Sequence, residues 1–172
     1  MATHSRQIVA AVSLGLLLAA CGKSPEEKAA ELAIKAATGN DATIERDGDA
    51  TKMTVKTDQG PMTVQSGESL SVPADFPADV YLPSGYTVKN VMQIGPMRSV
   101  VLALPGTSQA LVPEITGKME TGGWKTAMSM QSGDQGAMIS FNRDKRSATY
   151  SLAPGDKPGQ LTLSVQHSSE GN

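Results

Sequence analysis

The sequence has few of the side chains from which most catalytic and metal sites are built. Its 172 residues include one cysteine, Cys21, and two histidines, His4 and His167. One cysteine excludes an internal disulfide, and zinc sites of histidine and cysteine need more ligands than these. A Ser-His-Asp or Cys-His arrangement would have to use His167, which lies in a polar C-terminal stretch and is predicted to be solvated.

Positive charge and catalytic motifs are also scarce. The chain has 15 Lys and Arg against 17 Asp and Glu, so no basic field exists to attract nucleic acid. Nucleophile-elbow, phosphate-loop and dinucleotide-binding motifs are absent. Glu114 and Glu120 share a predicted helix but lie six residues apart, which does not place them side by side. The sequence therefore predicts a protein that is not an enzyme, without a cofactor and without a nucleic-acid partner.

The sequence has one long apolar run, from Ile8 to Ala20, which follows a short N-terminal segment with basic residues. A membrane-spanning helix needs roughly 20 apolar residues, so this run is too short to cross a bilayer. Its length and its small residues at the end are typical of a secretory signal, and residues 1–20 are predicted to be a signal peptide.

The run closes on Leu18-Ala19-Ala20-Cys21, which resembles the lipobox of bacterial lipoproteins. The resemblance implies cleavage before Cys21, diacylglycerol on its sulfur and an acyl chain, such as palmitate, on its new amino group. Two or more acyl chains anchor a protein stably where a single chain does not. Gly22 stands where lipoproteins retained in the inner membrane commonly have aspartate, which implies the periplasmic side of the outer membrane. The alternative is an ordinary secreted protein with an incidental cysteine.

A short helix is predicted directly after the anchor, within a tether of residues 21–42. Ser24 is a candidate N-cap, Pro25 suits the first helical position, and Glu27 completes a capping box. Gly39 supplies the stop. Large apolar side chains are rare in this helix, which favours a weakly packed segment over a partner-binding helix.

Residues 43–72 change to a period of two, the pattern of strands. Turn residues at Asp47-Gly48 and Asp58-Gln59-Gly60 separate the alternating runs, which predicts a small β-meander. The acidic residues Asp41, Asp47 and Asp49 do not have the spacing of a calcium-binding EF-hand loop and are interpreted as solvated turns.

Residues 73–85 contain a tandem echo, Pro73-Ala74-Asp75-Phe76 followed by Pro77-Ala78-Asp79-Val80. Prolines at this spacing forbid a regular helix or a central strand, so a proline-rich strap is predicted. The stretch resembles the segment that precedes a small α+β module in many uncharacterised bacterial lipoproteins, a resemblance that implies architecture only. The apolar residues are expected to hold the strap against a sheet while the aspartates brace its turns. Alternatively, Asp75 and Asp79 pair at a ligand or cation site, and Phe76 and Tyr81 form an exposed strip for a partner.

Residues 86–168 are predicted to form this α+β module, and residues 169–172 a tail. Two strands over 86–94 and 97–104 precede a helix that Thr107 or Ser108 is predicted to cap. Leu111, Ile115 and Met119 form one stripe on this helix. Pro113 and Gly117 weaken it, although Pro113 is tolerable if the helix begins late. Four strand-like runs follow, over 124–131, 137–143, 147–152 and 160–166. The fold class is therefore α+β, a mostly antiparallel sheet with one helix across a face in the order ββαββββ, preceded by the meander and the N-terminal helix. All aromatic residues lie between positions 76 and 150, which predicts a C-terminal core.

Two side-chain groups in this module are candidate sites. Several methionines occur in the module, and Met128 and Met130 share one strand face, so their thioethers are candidate Cu(I) ligands. The competing interpretation is that both fill the core beneath the helix. Arg143, Lys145 and Arg146 could contact an acidic partner or anionic lipid, although a solvated hairpin turn is the simpler account.

The leading functional hypothesis is a non-catalytic lipoprotein that binds or scaffolds an envelope protein while Cys21 holds it on the membrane. One alternative is an inhibitor or immunity-type lipoprotein that blocks a periplasmic toxin or hydrolase. Another is a carrier of a small ligand or a metal, which would use a cavity between helix and sheet.

Overall fold

The computed structural model describes residues 23–58 and 60–169. The predicted signal peptide, the lipobox with Cys21, and His4 lie outside this part of the chain. Within it the fold is α+β, with two α-helices and one open antiparallel sheet of nine strands. The helices are α1 (Pro25–Thr38) and α2 (Ser108–Thr121). The strands are β1 (Ala42–Asp47), β2 (Ala50–Thr57), β3 (Gly60–Leu70), β4 (Thr87–Ile94), β5 (Met97–Pro105), β6 (Lys125–Gln131), β7 (Ala137–Arg143), β8 (Arg146–Pro154) and β9 (Gln160–Ser169).

The strands lie in the order β1-β2-β3-β4-β5-β9-β8-β7-β6, so β1 and β6 are the edges. Strand β3 pairs with β4, with Val64 opposite Met92. The predicted meander therefore continues the sheet of the C-terminal module. Strand β9 lies between β5 and β8 and joins the two parts of the module that α2 separates in sequence.

Local signals define α1 as the sequence predicts. The side chain of Ser24 accepts a hydrogen bond from the backbone N–H of Glu27, and the Glu27 carboxylate accepts one from the N–H of Ser24. Gly39 ends the helix in the left-handed conformation, at φ 74°, and its N–H donates to the carbonyl of Lys35. Backbone hydrogen-bonding groups at both ends of the helix thus find partners within a few residues along the chain.

Helix α2 begins at one of the two N-caps that the sequence predicts. Its N-cap is Thr107, whose hydroxyl accepts from the N–H of Ala110, so Pro113 falls inside the helix and not near its start. The helix therefore includes Pro113 without a late start, and it loses one backbone hydrogen bond at that position. The predicted stripe of Leu111, Ile115 and Met119 is buried.

The main core lies between α2 and the face of the sheet that we call the helix face. The hydroxyl of Tyr150 in β8 lies 3.0 Å from the sulfur of Met119 in α2, which identifies this face. Buried apolar residues alternate along β5, β7, β8 and β9 on it, as predicted for the last three. The prediction of a C-terminal core is confirmed.

Apolar residues of the first strands point to the opposite face. Met53, Val64 and Met92 stand in one cross-strand row that begins at Ile44, whereas the neighbouring pair of Val91 and Val100 belongs to the helix face. Ile44 and Val55 are buried on this opposite side. The sheet is therefore continuous, but its buried side changes between the first strands and the last.

Met128 and Met130 do not occupy the core, so that interpretation was wrong. Thr126 pairs with Phe141, but Met128 pairs with Ser140, which makes Ala127 the extra residue of a β-bulge. A bulge changes which side the following residues face. Counting every second residue from the buried Trp124 therefore assigns both methionines to the wrong face.

Candidate functional site

The strap, residues 73–85, is fixed across the end of the helix face. Two turns shape it, with N–H groups of Phe76 and Val80 donating to the carbonyls of Pro73 and Pro77. The side chains of Phe76 and Val80 are buried in the main core. As predicted, the segment is neither helix nor strand and its apolar residues hold it against the sheet.

Arginines of the β7–β8 hairpin hold the strap by its second aspartate. Arg146 donates two hydrogen bonds to the carboxylate of Asp79, of 3.0 and 2.7 Å, and Arg143 donates a third of 3.0 Å. Arg98 holds Asp75 in the same way with one bond of 2.8 Å. The arginines therefore bind the chain's own strap, and the aspartates bind arginine instead of only bracing turns or sharing a cation.

Backbone carbonyls of the strap accept further bonds from buried aromatic residues. The indole N–H of Trp124 donates to the carbonyl of Asp79 at 3.0 Å, and the hydroxyl of Tyr150 donates to the carbonyl of Tyr81 at 2.8 Å. The guanidinium of Arg146 lies 5.0 Å from the centre of the Trp124 ring, a cation–π distance. These contacts make the strap a structural element of the core.

His167 lies beneath this cluster and is buried, which corrects the expectation of a solvated tail residue. It continues the alternation of Leu163 and Val165 along β9, and its ring contacts Trp124 edge to face at 6.3 Å. Its exposed fraction is 5 %, and neither ring nitrogen has a hydrogen-bond partner. The strand continues to Ser169, three residues beyond the predicted end at 166, so the first residue of the predicted tail belongs to β9 and residues 170–172 lie outside the described part of the chain.

Charges and burial shift several pKa values at this end of the fold. Hydrogen bonding from Arg146 lowers the pKa of Asp79, although partial burial opposes the shift. Burial lowers the pKa of His167, and the nearby charge of Arg146 adds to the effect. The Glu114 carboxylate, which accepts a hydrogen bond from the hydroxyl of Tyr81, raises the pKa of that phenol to about 12. The shifts of Asp79 and Tyr81 favour the charge states in which these two strap residues make their hydrogen bonds to Arg146 and Glu114.

The described residues contain no group of three or more His, Cys, Asp or Glu side chains placed to hold a metal. Helices long and apolar enough to span a bilayer are likewise absent from residues 23–58 and 60–169. The space between α2 and the sheet is filled by side chains without exposed surface, among them Ile115, Met119 and Leu163. These three side chains therefore line no space that is open to solvent.

The two edges of the sheet differ in how they are protected. Along β1, the N–H of Ile44 donates to the carboxylate of Glu31 in α1 at 2.7 Å, and Lys35 of the helix pairs with Asp41. Along β6, all seven residues are exposed. An uncovered edge presents backbone donors and acceptors that can pair with another strand.

Three methionines lie together beside this uncovered edge. Met130 in β6 pairs directly with Met138 in β7, and Met128 is on the same face two residues away. Their exposed fractions are 60 %, 41 % and 40 %, respectively. Sequence reasoning named Met128 and Met130, but it did not place Met138 beside them because that requires the strand register.

The residues named from the sequence as partner contacts lie in the strap. Phe76 is buried, and Tyr81 is half-buried with its hydroxyl on Glu114, so Tyr81 is the more accessible of the two. A role in partner binding stays a prediction for both. Lys145 is exposed in the turn between β7 and β8.

Comparison with known proteins finds no matching family model, no similar curated protein and no similar solved structure.

Proposed function

We propose that this chain is a non-catalytic lipoprotein that binds an envelope protein through the uncovered edge strand β6. Cys21 would hold it on the periplasmic side of the outer membrane. The lipobox residues Leu18 to Cys21 support the anchor. Helix α1 begins at Pro25, so the folded part would stand close to the membrane surface.

The difference between the two sheet edges carries the proposal. Helix α1 accepts a backbone hydrogen bond from β1 at Ile44, which is buried, whereas all seven residues of β6 are exposed. Natural sheets usually protect an edge with charges, proline or a covering element, and Lys125 is the one charged residue of β6. An extended segment of a partner can add to such a strand by main-chain hydrogen bonds.

The side chains of β6 are suited to contact a partner's surface and do not form a deep pocket. Met128 and Met130 are flexible and apolar, and methionine adapts to irregular surfaces. We propose residues 86–168, the ββαββββ module, as the binding unit, because they contain β6 and most of the main core. In this proposal the meander of residues 43–72 extends the sheet and α1 protects its far edge.

Crosslinked envelopes provide the test. Affinity capture would compare the intact chain, Cys21→Ala, and an edge variant that carries Ser129→Lys and Gln131→Lys. The matched control carries Ser147→Lys and Gln166→Lys, which add the same charge at exposed positions of the interior strands β8 and β9. We expect one discrete partner with the intact chain and with the control, and its loss from the other two.

Capture of the same partner by the edge variant would show that β6 is not the binding edge. Capture of nothing above background by the intact chain would refute the proposed binding function. Undiminished capture by Cys21→Ala would refute the need for the anchor.

A further inference from the structure

The methionines beside the β6 edge lie where the neighbouring side chains on their face of the sheet are polar. Met138 pairs onward with Ser151 in β8, and the neighbouring row runs from Met128 through Ser140 to Thr149. Core packing does not account for the thioethers, because α2 lies on the other face and the methionines are 40–60 % exposed.

Register brings the three sulfurs within reach of one another. Side chains of directly paired residues such as Met130 and Met138 start about 5 Å apart, and a diagonal neighbour such as Met128 starts roughly 7 Å away. Methionine has three rotatable bonds and a polarizable sulfur, so these side chains can turn toward one point above the sheet.

We propose that Met128, Met130 and Met138 form a surface site for Cu(I). Thioethers are soft ligands, and Cu(I) is the first-row ion that prefers them. The adjoining positions on this face are Ser140, Thr149 and Ser151, none of which supplies a carboxylate or an imidazole. The donor set therefore selects a soft monovalent ion over Zn²⁺, Ca²⁺ and Mg²⁺.

Thioether ligation also differs from other copper sites in its response to pH. Cysteine and histidine must lose a proton before they bind a metal, whereas methionine carries none to lose. Binding at this site stays constant between about pH 5 and pH 8, where thiolate and imidazole sites weaken on acidification.

Anaerobic titration of the full chain with Cu(I) against bicinchoninate tests the site. All samples carry Cys21→Ala, which removes the only thiol. We expect one copper ion per chain, affinity unchanged across this pH range, and shifts of three methionine methyl signals in NMR spectra. Each single change to leucine should weaken binding by roughly tenfold or more, and the triple change should abolish it.

Leucine keeps the apolar volume and removes the sulfur, so the fold and the exposed edge are preserved. The control carries Met53→Leu and Met92→Leu, which alter thioethers of the same sheet face but of strands β2 and β4. Control binding should equal that of the parent chain.

The site is refuted if the parent chain does not compete with bicinchoninate, or if the triple leucine chain binds equally well. Loss of binding in the Met53 and Met92 control, or a fall in affinity at acidic pH, would place the copper elsewhere. Copper binding and partner capture can be told apart, because the edge variant with Ser129→Lys and Gln131→Lys keeps all three methionines. Failure of one proposal therefore does not imply failure of the other.

Discussion

His167 is an imidazole enclosed by charged and aromatic neighbours. Trp124 contacts its ring, Arg98 is its pair on β5, and Arg146 and Asp79 lie close enough to influence its charge. Burial and the two arginines favour the neutral ring, whereas Asp79 opposes them. Because both nitrogens lack partners, a proton added there would be poorly stabilised.

Folding stability should therefore fall as the solution becomes acidic. The pKa of His167 is lower in the folded chain than its ordinary value of 6.5. The unfolded chain then binds the extra proton first, so the free energy of unfolding decreases as pH falls below about 6.5. Urea denaturation at pH 7.5 and pH 5.5 should show this loss.

Replacing His167 with leucine should remove the slope. The variant should stay within about 1 kcal/mol of the natural chain at pH 7.5, because the lost ring contact is offset by removal of two unpaired nitrogens. Gln166→Ala, at the exposed neighbouring position, is the control and should keep the slope. Equal slopes in the natural chain and His167→Leu would show that another group causes the pH dependence.

The sequence contains a signal for the burial of His167, but it contains none for the sheet face on which Met128 and Met130 lie, because that face depends on a β-bulge. The alternation of Leu161, Leu163 and Val165 extends to His167, so the period of a strand contains the signal for its burial, and the prediction of a solvated residue overlooked that signal. The bulge at Ala127 has no comparable signal, since alanine in a run of alternating residues does not indicate an extra one. The faces of Met128 and Met130 depend on it.

At the scale of elements, the strap is held mainly by Asp79. Its carboxylate accepts three bonds from two arginines and is 33 % exposed, while Asp75 accepts one and is 54 % exposed. Bidentate contacts to arginine stabilise more than single exposed pairs do. The two aspartates of the tandem echo therefore have unequal roles.

Asp79→Asn should lower the free energy of unfolding by about 1–2 kcal/mol, and Asp75→Asn by less than about 0.5 kcal/mol. Denaturation at pH 7 would measure both. The pKa of Asp79 is below 3.8 in the folded chain, so its contribution is complete above that pH and is lost as pH falls toward the folded value. Equal losses in the two variants would contradict this assignment.

The strap shows what local sequence patterns can and cannot define. Its prolines excluded regular structure, and Phe76 and Val80 were expected to face the sheet. The arginine partners of Asp79 lie more than 60 residues later in the chain, and no short-range sequence pattern connects them with the strap. Similarly, the cap of α1 was predictable, but its position along the edge of β1 was not.

Across the whole molecule, stability is distributed unevenly along the sheet. Strands β1 and β2 contribute two buried apolar residues, Ile44 and Val55, on the face away from the main core. Strands β5 and β9 lie between neighbours on both sides and supply buried residues beneath α2. Regions with few buried apolar contacts open at lower free energy than the core does.

Hydrogen exchange should reveal this gradient. Amides of β1 and β2 should open at a free energy lower by about 2 kcal/mol or more than those of β5, β8 and β9. The opening free energy should rise from the lower to the higher value at the pairing of β3 with β4. Uniform protection across all nine strands would mean that the sheet opens as one unit.

The strap leaves the ribosome before the residues that it contacts in the folded protein. It connects β3 with β4, which are neighbours in the sheet, yet its contacts with Trp124, Arg143, Arg146 and Tyr150 span 45 to 69 residues. When residues 73–85 leave the ribosome, the surface that receives them does not yet exist. We therefore expect Phe76 and Val80 to lack their native contacts until the β7–β8 hairpin has formed, which would make docking of the strap a late step of folding.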